Sequence, residues 1–239
     1  MSTILKPFGN NDPYSEIELI ASTHLVDTTK FSIDQMPVLA ARVSHSQAGK
    51  TGDDIEADDK LITFLVNHFH WSVFEHMSVT FRVCAPLFVI REMQRHRSFS
   101  FNEESMRYSS DPVGKFYTPQ LFREQATRNK QGSAGPIRHQ TAAHDVMKAS
   151  YEQSLKAYNE LLQLNVCREQ ARAVIPVGNY STMYMTGNLR SWTHFCNLRV
   201  AEDAQWEIRQ YANLFDDTLL GLYPHTWGAL RELFEQKKS

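Results

Sequence analysis

The segment from His76 to Val83 alternates without interruption, with Met77, Val79, Phe81 and Val83 on one face and Ser78, Thr80 and Arg82 on the other. An extended chain projects successive side chains to opposite sides, so this pattern predicts a half-buried strand with one apolar and one polar face. A sheet built around it must cover that apolar face, and the rest of the chain supplies helices. Residues 15 to 26 alternate loosely and read as a strand, and Asn179 to Thr186 alternate again. DQMPVLAARVSHS reads as a short helix and then a loop, while the Gly- and Asp-rich stretch from Gly49 to Asp59 leads into an apolar helix, LITFLVNHF. Pro86 breaks the central alternation, and LFVIREMQRHR resumes at helical spacing. His139 to Leu164 has the pattern of a long amphipathic helix. Gly187-Asn188 opens another helical run, bent near Val200 and continuing through Trp206, Tyr211 and Leu214, and a last short helix follows Pro224. No βαβ period recurs, and no linker, internal repeat or low-complexity segment divides the 239 residues. The expectation is one α+β domain over 1–239.

Composition narrows the function classes. A formal net charge of -2 leaves no global basic excess, which argues against a protein that holds nucleic acid through its phosphates. The first residues contain no long apolar run after a basic start, so no secretory signal is expected, and no stretch approaches the ~18 apolar residues of a membrane span. Cys84, Cys167 and Cys196 are odd in number and far apart, which disfavours a disulfide framework or a zinc site and fits a reducing cytoplasm.

Polar chemistry concentrates in three places. In Arg95-His96-Arg97, followed by Ser98 to Tyr108, guanidinium forks suited to phosphate oxygens stand among Asn102, Glu103 and several hydroxyls. Interleaved Phe99, Phe101 and Tyr108 suggest an extended segment with one packed face, although a solvated helix end and polar loop is the commoner fate of such charge. Ser98 to Pro119 is a long connection of the kind that tends to be functional, and Thr127 to Pro136 reads as a surface loop. The second cluster, His68 to His76, holds three histidines and Glu75. It lacks the spacing of a defined third metal ligand, so no metal is expected, and a turn giving Ser72 and a histidine to a ligand pocket fits better. In the third, Arg168 and Arg172 flank Glu169, and Arg190, His194 and Asn197 form one helical stripe opposite Leu189, Trp192, Phe195 and Cys196. Such a stripe is ordinarily a solvated face, but one without Lys or Glu is atypical.

These residues resemble the flavin-dependent thymidylate synthases. The run Arg95-His96-Arg97, seven residues, then Ser105 matches that family's signature, as does Ser100-x-Asn102-Glu103-x-Ser105-x-Arg107-Tyr108. Further matches lie in family order: Ala40-Ala41-Arg42-Val43-Ser44, His70-x-Ser72-x-x-Glu75-His76, Ala171-Arg172-x-x-x-Pro176, Asn188-x-Arg190-Ser191, and Asn197-Leu198-Arg199 ahead of Ala204-Gln205-x-Glu207-Ile208. Together they cover about residues 17 to 215.

The resemblance implies a mostly antiparallel sheet flanked by helices, a homotetramer with FAD where subunits meet, and conversion of dUMP to dTMP with methylenetetrahydrofolate and NADPH. It implies FAD contacts from Ser72, Arg95, His96, Arg97, Glu103, Asn188, Arg190 and His194. It implies dUMP contacts from Glu92, Met93, Gln94, Arg95, Glu103, Glu104, Ser105, Met106, Arg107, Arg172 and Arg199, with Arg199 stabilising charge on the uracil. Glu92 departs from the family, many members carrying glutamine there; His194 is asparagine in some members. No cysteine setting suggests a thiolate nucleophile, and Ser105 has no adjacent histidine base. Three other readings remain: a nucleotide- or RNA-binding module, a metal-dependent hydrolase using His68 to His76, and a flavoprotein of this fold without synthase activity.

Overall fold

The computed structural model describes residues 3–27, 32–44, 55–127 and 132–235. The chain begins with β1 (Ile4–Leu5) and β2 (Glu16–Ser22), then a 3-10 turn (Ile33–Gln35) leading into α1 (Met36–Val43) and, later, α2 (Ile55–Asn67). A second 3-10 turn (Trp71–His76) precedes β3 (Ser78–Pro86), α3 (Leu87–Met93) and β4 (Ser100–Glu103). A small hairpin, β5 (Arg123–Gln125) and β6 (Ser133–Pro136), introduces the long α4 (Gln140–Gln163). The remainder is α5 (Arg168–Ala171), a 3-10 turn (Arg172–Val174), β7 (Tyr180–Asn188), α6 (Leu189–Arg199), α7 (Trp206–Leu222) and α8 (Pro224–Arg231). Residues 45–46 of the first helix-and-loop reading, 49–54 of the Gly- and Asp-rich stretch, and 128–131 of the surface loop lie outside the described residues.

Five strands form one sheet in the order β1-β2-β3-β7-β4, every neighbour antiparallel. This is the single α+β domain with an antiparallel sheet that the sequence led us to expect. The alternating strand is its centre, and β3 pairs with β7 along its full length, from Ser78 opposite Asn188 to Pro86 opposite Tyr180. Met77, Val79, Phe81, Val83 and Ala85 are all fully buried. Against them pack Trp192 and Phe195 of α6 and Tyr211, Phe215 and Leu219 of α7, with Phe81 edge-on to Trp192 at 5.2 Å between ring centroids. Each such side chain withdraws enough apolar area to stabilise the fold by about 1.5–3 kcal/mol. The polar face of β3 stays half-exposed, where Arg82 pairs with Glu16 at 3.2 Å and Glu18 at 2.8 Å.

Some boundaries differ from the sequence reading. The strand does not stop short of Pro86 but includes it, because β7 pairs it as far as Tyr180. Helix α2 starts at Ile55, inside the Asp-rich stretch. Helix α3 ends at Met93, so Arg95, His96 and Arg97 stand on turns and not on the helix that the spacing of LFVIREMQRHR suggests. Two residues beyond α3, the backbone switches to i→i+3 bonds, Arg95 N–H to the Glu92 carbonyl and His96 N–H to the Met93 carbonyl. The Arg199 guanidinium also donates to the Glu92 carbonyl at 3.3 Å, occupying the acceptor that another α-helical turn would require. Gly187 permits the next step: a Cβ there would meet the Phe99 ring at 2.4 Å, so only glycine lets Phe99 lie across β7.

Candidate active site

Three segments meet beside the end of β7. Asn188, the last residue of that strand, caps α6, its Oδ1 accepting from the Ser191 N–H at 2.9 Å. The cap anchors the helix and aims its positive N-terminal end at the space beyond. The turn after α3 brings Arg95, His96, Arg97 and Ser98 to the same space, and the turn before β3 brings Phe69, Trp71 and Glu75. Together with Arg190, Ser191, Thr193, His194, Asn197 and Leu233 they enclose a cavity of about 840 Å³. The predicted stripe on α6 is real, with Arg190, His194 and Asn197 on the cavity side and Trp192, Phe195 and Cys196 in the core.

The cavity's charge is lopsided. Arg190 pairs with Glu75 across the mouth, whereas neither Arg95 nor Arg97 pairs with a carboxylate among the described residues. Two guanidinium groups without a carboxylate partner, beside a helix N-terminus, are suited to an anion. One cavity atom also asks for a partner: Asn197 Oδ1 is buried with no hydrogen bond among the described residues. A buried acceptor left open in a ligand-sized cavity fits a bound molecule with a donor to offer. A dinucleotide such as FAD, with a diphosphate for the arginines and ribose hydroxyl or ring amino groups for Asn197, suits this donor set.

Behind the cavity stands a second, tighter constellation. Arg199 donates from Nη1 to Glu92 Oε2 at 2.7 Å, from Nη2 to the Glu92 carbonyl, and from Nε to His96 Nε2 at 3.1 Å. Burial, then the neighbouring Arg199 and His194, push the His96 pKa down to about 4, so the ring is neutral near pH 7. Its Nε2 accepts, which assigns the proton to Nδ1. Burial pushes the Glu92 carboxyl up despite the opposing Arg199 charge, with Glu207 adding to the rise. The short ion pair and the raised pKa point in opposite directions. Desolvation of the Glu92 carboxylate outweighs its attraction to Arg199.

The other residues expected around a nucleotide continue from this point. Gln94 Nε2 donates to Glu103 Oε2 at 3.0 Å, tying the turn after α3 to the end of β4. Glu104 follows, its N–H on the Thr182 carbonyl, and Ser105 opens a tight turn whose carbonyl accepts from Tyr108 and Ser109 N–H. Arg107 pairs with Glu169 at 2.9 Å, and Arg172 Nε donates to the Glu169 carbonyl at 3.3 Å, so the Ser105 turn and the Arg172 segment meet. Met106 is half-buried in that turn. Met93 is fully buried in the core and can offer a ligand only its backbone.

Ser72 belongs to the turn that reaches the cavity but is not among the lining residues, nor is Glu103. Phe69, Trp71, Asn197 and Leu233 line it without having been expected; of these, only Asn197 was visible, as the third member of the α6 stripe. The histidines of the 68–76 segment do not gather into a ligand set: His68 stacks on Phe64 at 4.0 Å and donates from Nδ1 to the Phe64 carbonyl at 2.8 Å. Among the described residues no group of three His, Cys, Asp or Glu side chains is arranged for a metal, and no helix is long and apolar enough to cross a membrane. No cysteine lines the cavity. Cys196 is fully buried in the core, and burial raises the Cys84 thiol pKa, away from a thiolate.

Comparison with known proteins places this geometry. A family model described as thymidylate synthase complementing protein matches residues 24–225. The flavin-dependent thymidylate synthase of Thermus thermophilus is 42% identical over 199 residues, 83% of this chain and 72% of the relative. That of Streptomyces avermitilis is 39% identical over 223 residues, 85% of this chain and 89% of the relative. Among solved structures, the UMP/dUMP methylase PolB from Streptomyces cacaoi bound with 5-Br dUMP superposes with a TM-score of 0.81 at 32% identity, covering 93% of this chain and 97% of that one.

Proposed function

The chain belongs to the flavin-dependent thymidylate synthases, and from that premise we propose how its residues divide the work of methylating dUMP to dTMP. When bound, reduced FAD supplies the hydride, methylenetetrahydrofolate the carbon, and NADPH the electrons that restore the flavin. Arg95 and Arg97 hold the diphosphate of FAD, and Asn188, Arg190 and His194 fix its remaining polar groups, with His96, Ser72 and Glu103 completing the surround. Glu92, the backbone of Met93, Gln94, Arg95, Glu103 and Glu104 border dUMP. Arg172 and the turn of Ser105, Met106 and Arg107 hold its phosphate.

Arg199 is the catalytic residue in this reading. Uracil C5 is a weak nucleophile, and negative charge must develop toward the carbonyls as it attacks. A guanidinium held in place by Glu92 and His96 stabilises that charge without having to reorganise. Neutral His96 accepts from Arg199 on one side and lines the flavin cavity on the other, and this shared wall is the observation that carries the reading. It supports the reading that a base-facing Arg199 acts one side chain away from the cofactor. The absence of a cysteine from the cavity lining agrees with a route that needs no thiolate.

We assign the whole of 1–239 to one synthase domain, working in the cytoplasm as a homotetramer with FAD at the subunit boundaries. The support for self-association is α4, where only Tyr158 of 24 residues is buried and Val146 is 72% exposed. No nucleic-acid or membrane partner is assigned.

The test is a visible spectrum of the purified protein, then anaerobic reduction by NADPH with and without dUMP. Oxidised-flavin bands that bleach faster with dUMP, and dTMP formed on adding methylenetetrahydrofolate, are expected. A colourless protein that takes up no FAD overturns the reading. UMP belongs in the same assay, because a structural relative with a TM-score of 0.78 is a UMP/dUMP methylase bound with 5-Br UMP.

A further inference from the structure

Two helices of this fold end in the same way, and only one of them uses a residue suited to it. At the end of α4 the Val166 N–H reaches the Leu161 carbonyl and the Asn165 N–H the Leu162 carbonyl, with Asn165 at φ 64°. At the end of α2 the His70 N–H reaches the Leu65 carbonyl and the Phe69 N–H the Val66 carbonyl, with Phe69 at φ 57°. Both are Schellman caps, whose left-handed position favours glycine and tolerates asparagine. A phenylalanine there sets Cβ against its own backbone and is a genuine outlier. Its ring returns little to the fold, since Phe69 is 62% exposed.

The ring does have a neighbourhood. Phe69 and Trp71 both line the arginine-bearing cavity, their centroids 6.0 Å apart and their planes tilted by 41°. The Trp71 N–H donates to the Phe69 carbonyl at 2.9 Å, which fixes the two residues relative to each other. Trp71 is further braced edge-on by buried Phe74. The strained backbone thus holds an exposed aromatic ring against a cavity that Arg95 and Arg97 also line. Residues kept in such conformations cluster at ligand clamps, where the strain serves the ligand.

We propose that Phe69 and Trp71 form an aromatic clasp for a flat heteroaromatic ring of the ligand whose diphosphate Arg95 and Arg97 hold. This rests on the reading of the cavity as the FAD site, and FAD offers two such rings, adenine and isoalloxazine. Neither residue takes part in the chemistry; the clasp contributes affinity and orientation. Stacking of this kind tolerates different rings because each has a π-face.

The test uses full-length protein stripped of flavin and titrated with FAD by flavin fluorescence, alongside thermal unfolding without ligand. F69G should weaken FAD binding by roughly tenfold while leaving the unfolding midpoint unchanged or raising it by ~2–4 °C, because glycine relieves the cap. F69Y keeps the ring and should bind within about twofold of wild type. Competition by FMN and by ADP then assigns the ring: weakening of ADP in F69G marks adenine, and weakening of FMN marks isoalloxazine. F69G with wild-type FAD affinity, or with affinity lost only alongside a lowered midpoint, overturns the clasp while leaving the flavin reading intact. A wild-type protein that binds no FAD overturns both.

Discussion

Replacing Glu92 by glutamine removes one charge from the best-formed ion pair near the proposed site, yet the structure predicts that the empty protein does not lose stability near neutral pH. The attraction alone is large: charges about 4 Å apart at an effective dielectric near 20 gain about 4 kcal/mol. Both side chains are largely shielded, at 20% and 26% exposed, and simply deleting one partner of a buried pair costs about 3–5 kcal/mol. Against this stands the direction of the Glu92 pKa, which burial raises despite Arg199. A raised folded pKa means that folding favours the protonated, neutral carboxyl, and Glu92→Gln imitates that form while keeping an oxygen for Arg199 Nη1. Arg199 also retains the carbonyl of residue 92 and His96 Nε2 as acceptors.

The sign follows from linkage. Below the unfolded carboxyl's pKa, both folded and unfolded wild type carry the proton, and Glu92 contributes its full stability. As pH rises through the raised folded pKa that contribution is lost, whereas glutamine does not titrate. The variant should therefore gain on wild type between pH 5 and pH 8 and stand within about 1 kcal/mol of it, or above it, at pH 8. His96 titrates in both proteins and cancels from the difference. Urea unfolding of the flavin-free proteins at pH 5 and pH 8, at one protein concentration, measures it. A variant less stable by more than about 2 kcal/mol at pH 8, with the gap closing at pH 5, would refute the reasoning. The functional consequence is that Arg199 keeps its place through His96 Nε2 and the residue-92 carbonyl when the charge of Glu92 is removed. Glutamine should accordingly leave dUMP affinity no weaker.

Other perturbations separate charge from architecture. Arg199→Ala should keep the fold and flavin uptake while lowering kcat by roughly 100- to 1000-fold; a near-normal kcat in steady-state assays would remove Arg199 from its role. Asn188→Ala should lose the α6 cap, costing about 1 kcal/mol and some flavin affinity. Asn188→Asp keeps a capping oxygen but adds negative charge beside the arginines, so its midpoint should stay near wild type while FAD affinity falls. Equal FAD affinity in wild type and Asn188→Asp, measured by titration, would place the diphosphate elsewhere.

Periodicity exposed those parts of the fold that obey a local rule. The alternation of Met77, Val79, Phe81 and Val83 marked the centre of the sheet because a central strand with one buried face has no freedom to break the pattern. The stripe of Arg190, His194 and Asn197 was readable because Trp192, Phe195 and Cys196 mark the opposite face of the same helix. The end of α3 was not readable, since nothing local stops LFVIREMQRHR at Met93. What competes for the Glu92 carbonyl is Arg199, more than a hundred residues later. The β5–β6 hairpin was missed for a related reason. Part of its hold on the domain is tertiary, Arg123 reaching Glu207 at 2.7 Å and lying over the Trp206 ring.

Phe69 marks where pattern-reading ends in a more instructive way. Glycine after LVNH would have announced the end of α2 by itself, as Asn165 announces the end of α4. With phenylalanine there, the helical pattern runs on into the loop, and LITFLVNHF reads as apolar helix to its last residue. The local signal is degraded at the residue where the cavity gains an aromatic ring. Natural sequences keep local preference and tertiary structure in agreement except where something else constrains the residue. A mismatch between the φ that a position demands and the residue that fills it therefore locates such a constraint, and only the backbone geometry can reveal that the mismatch exists.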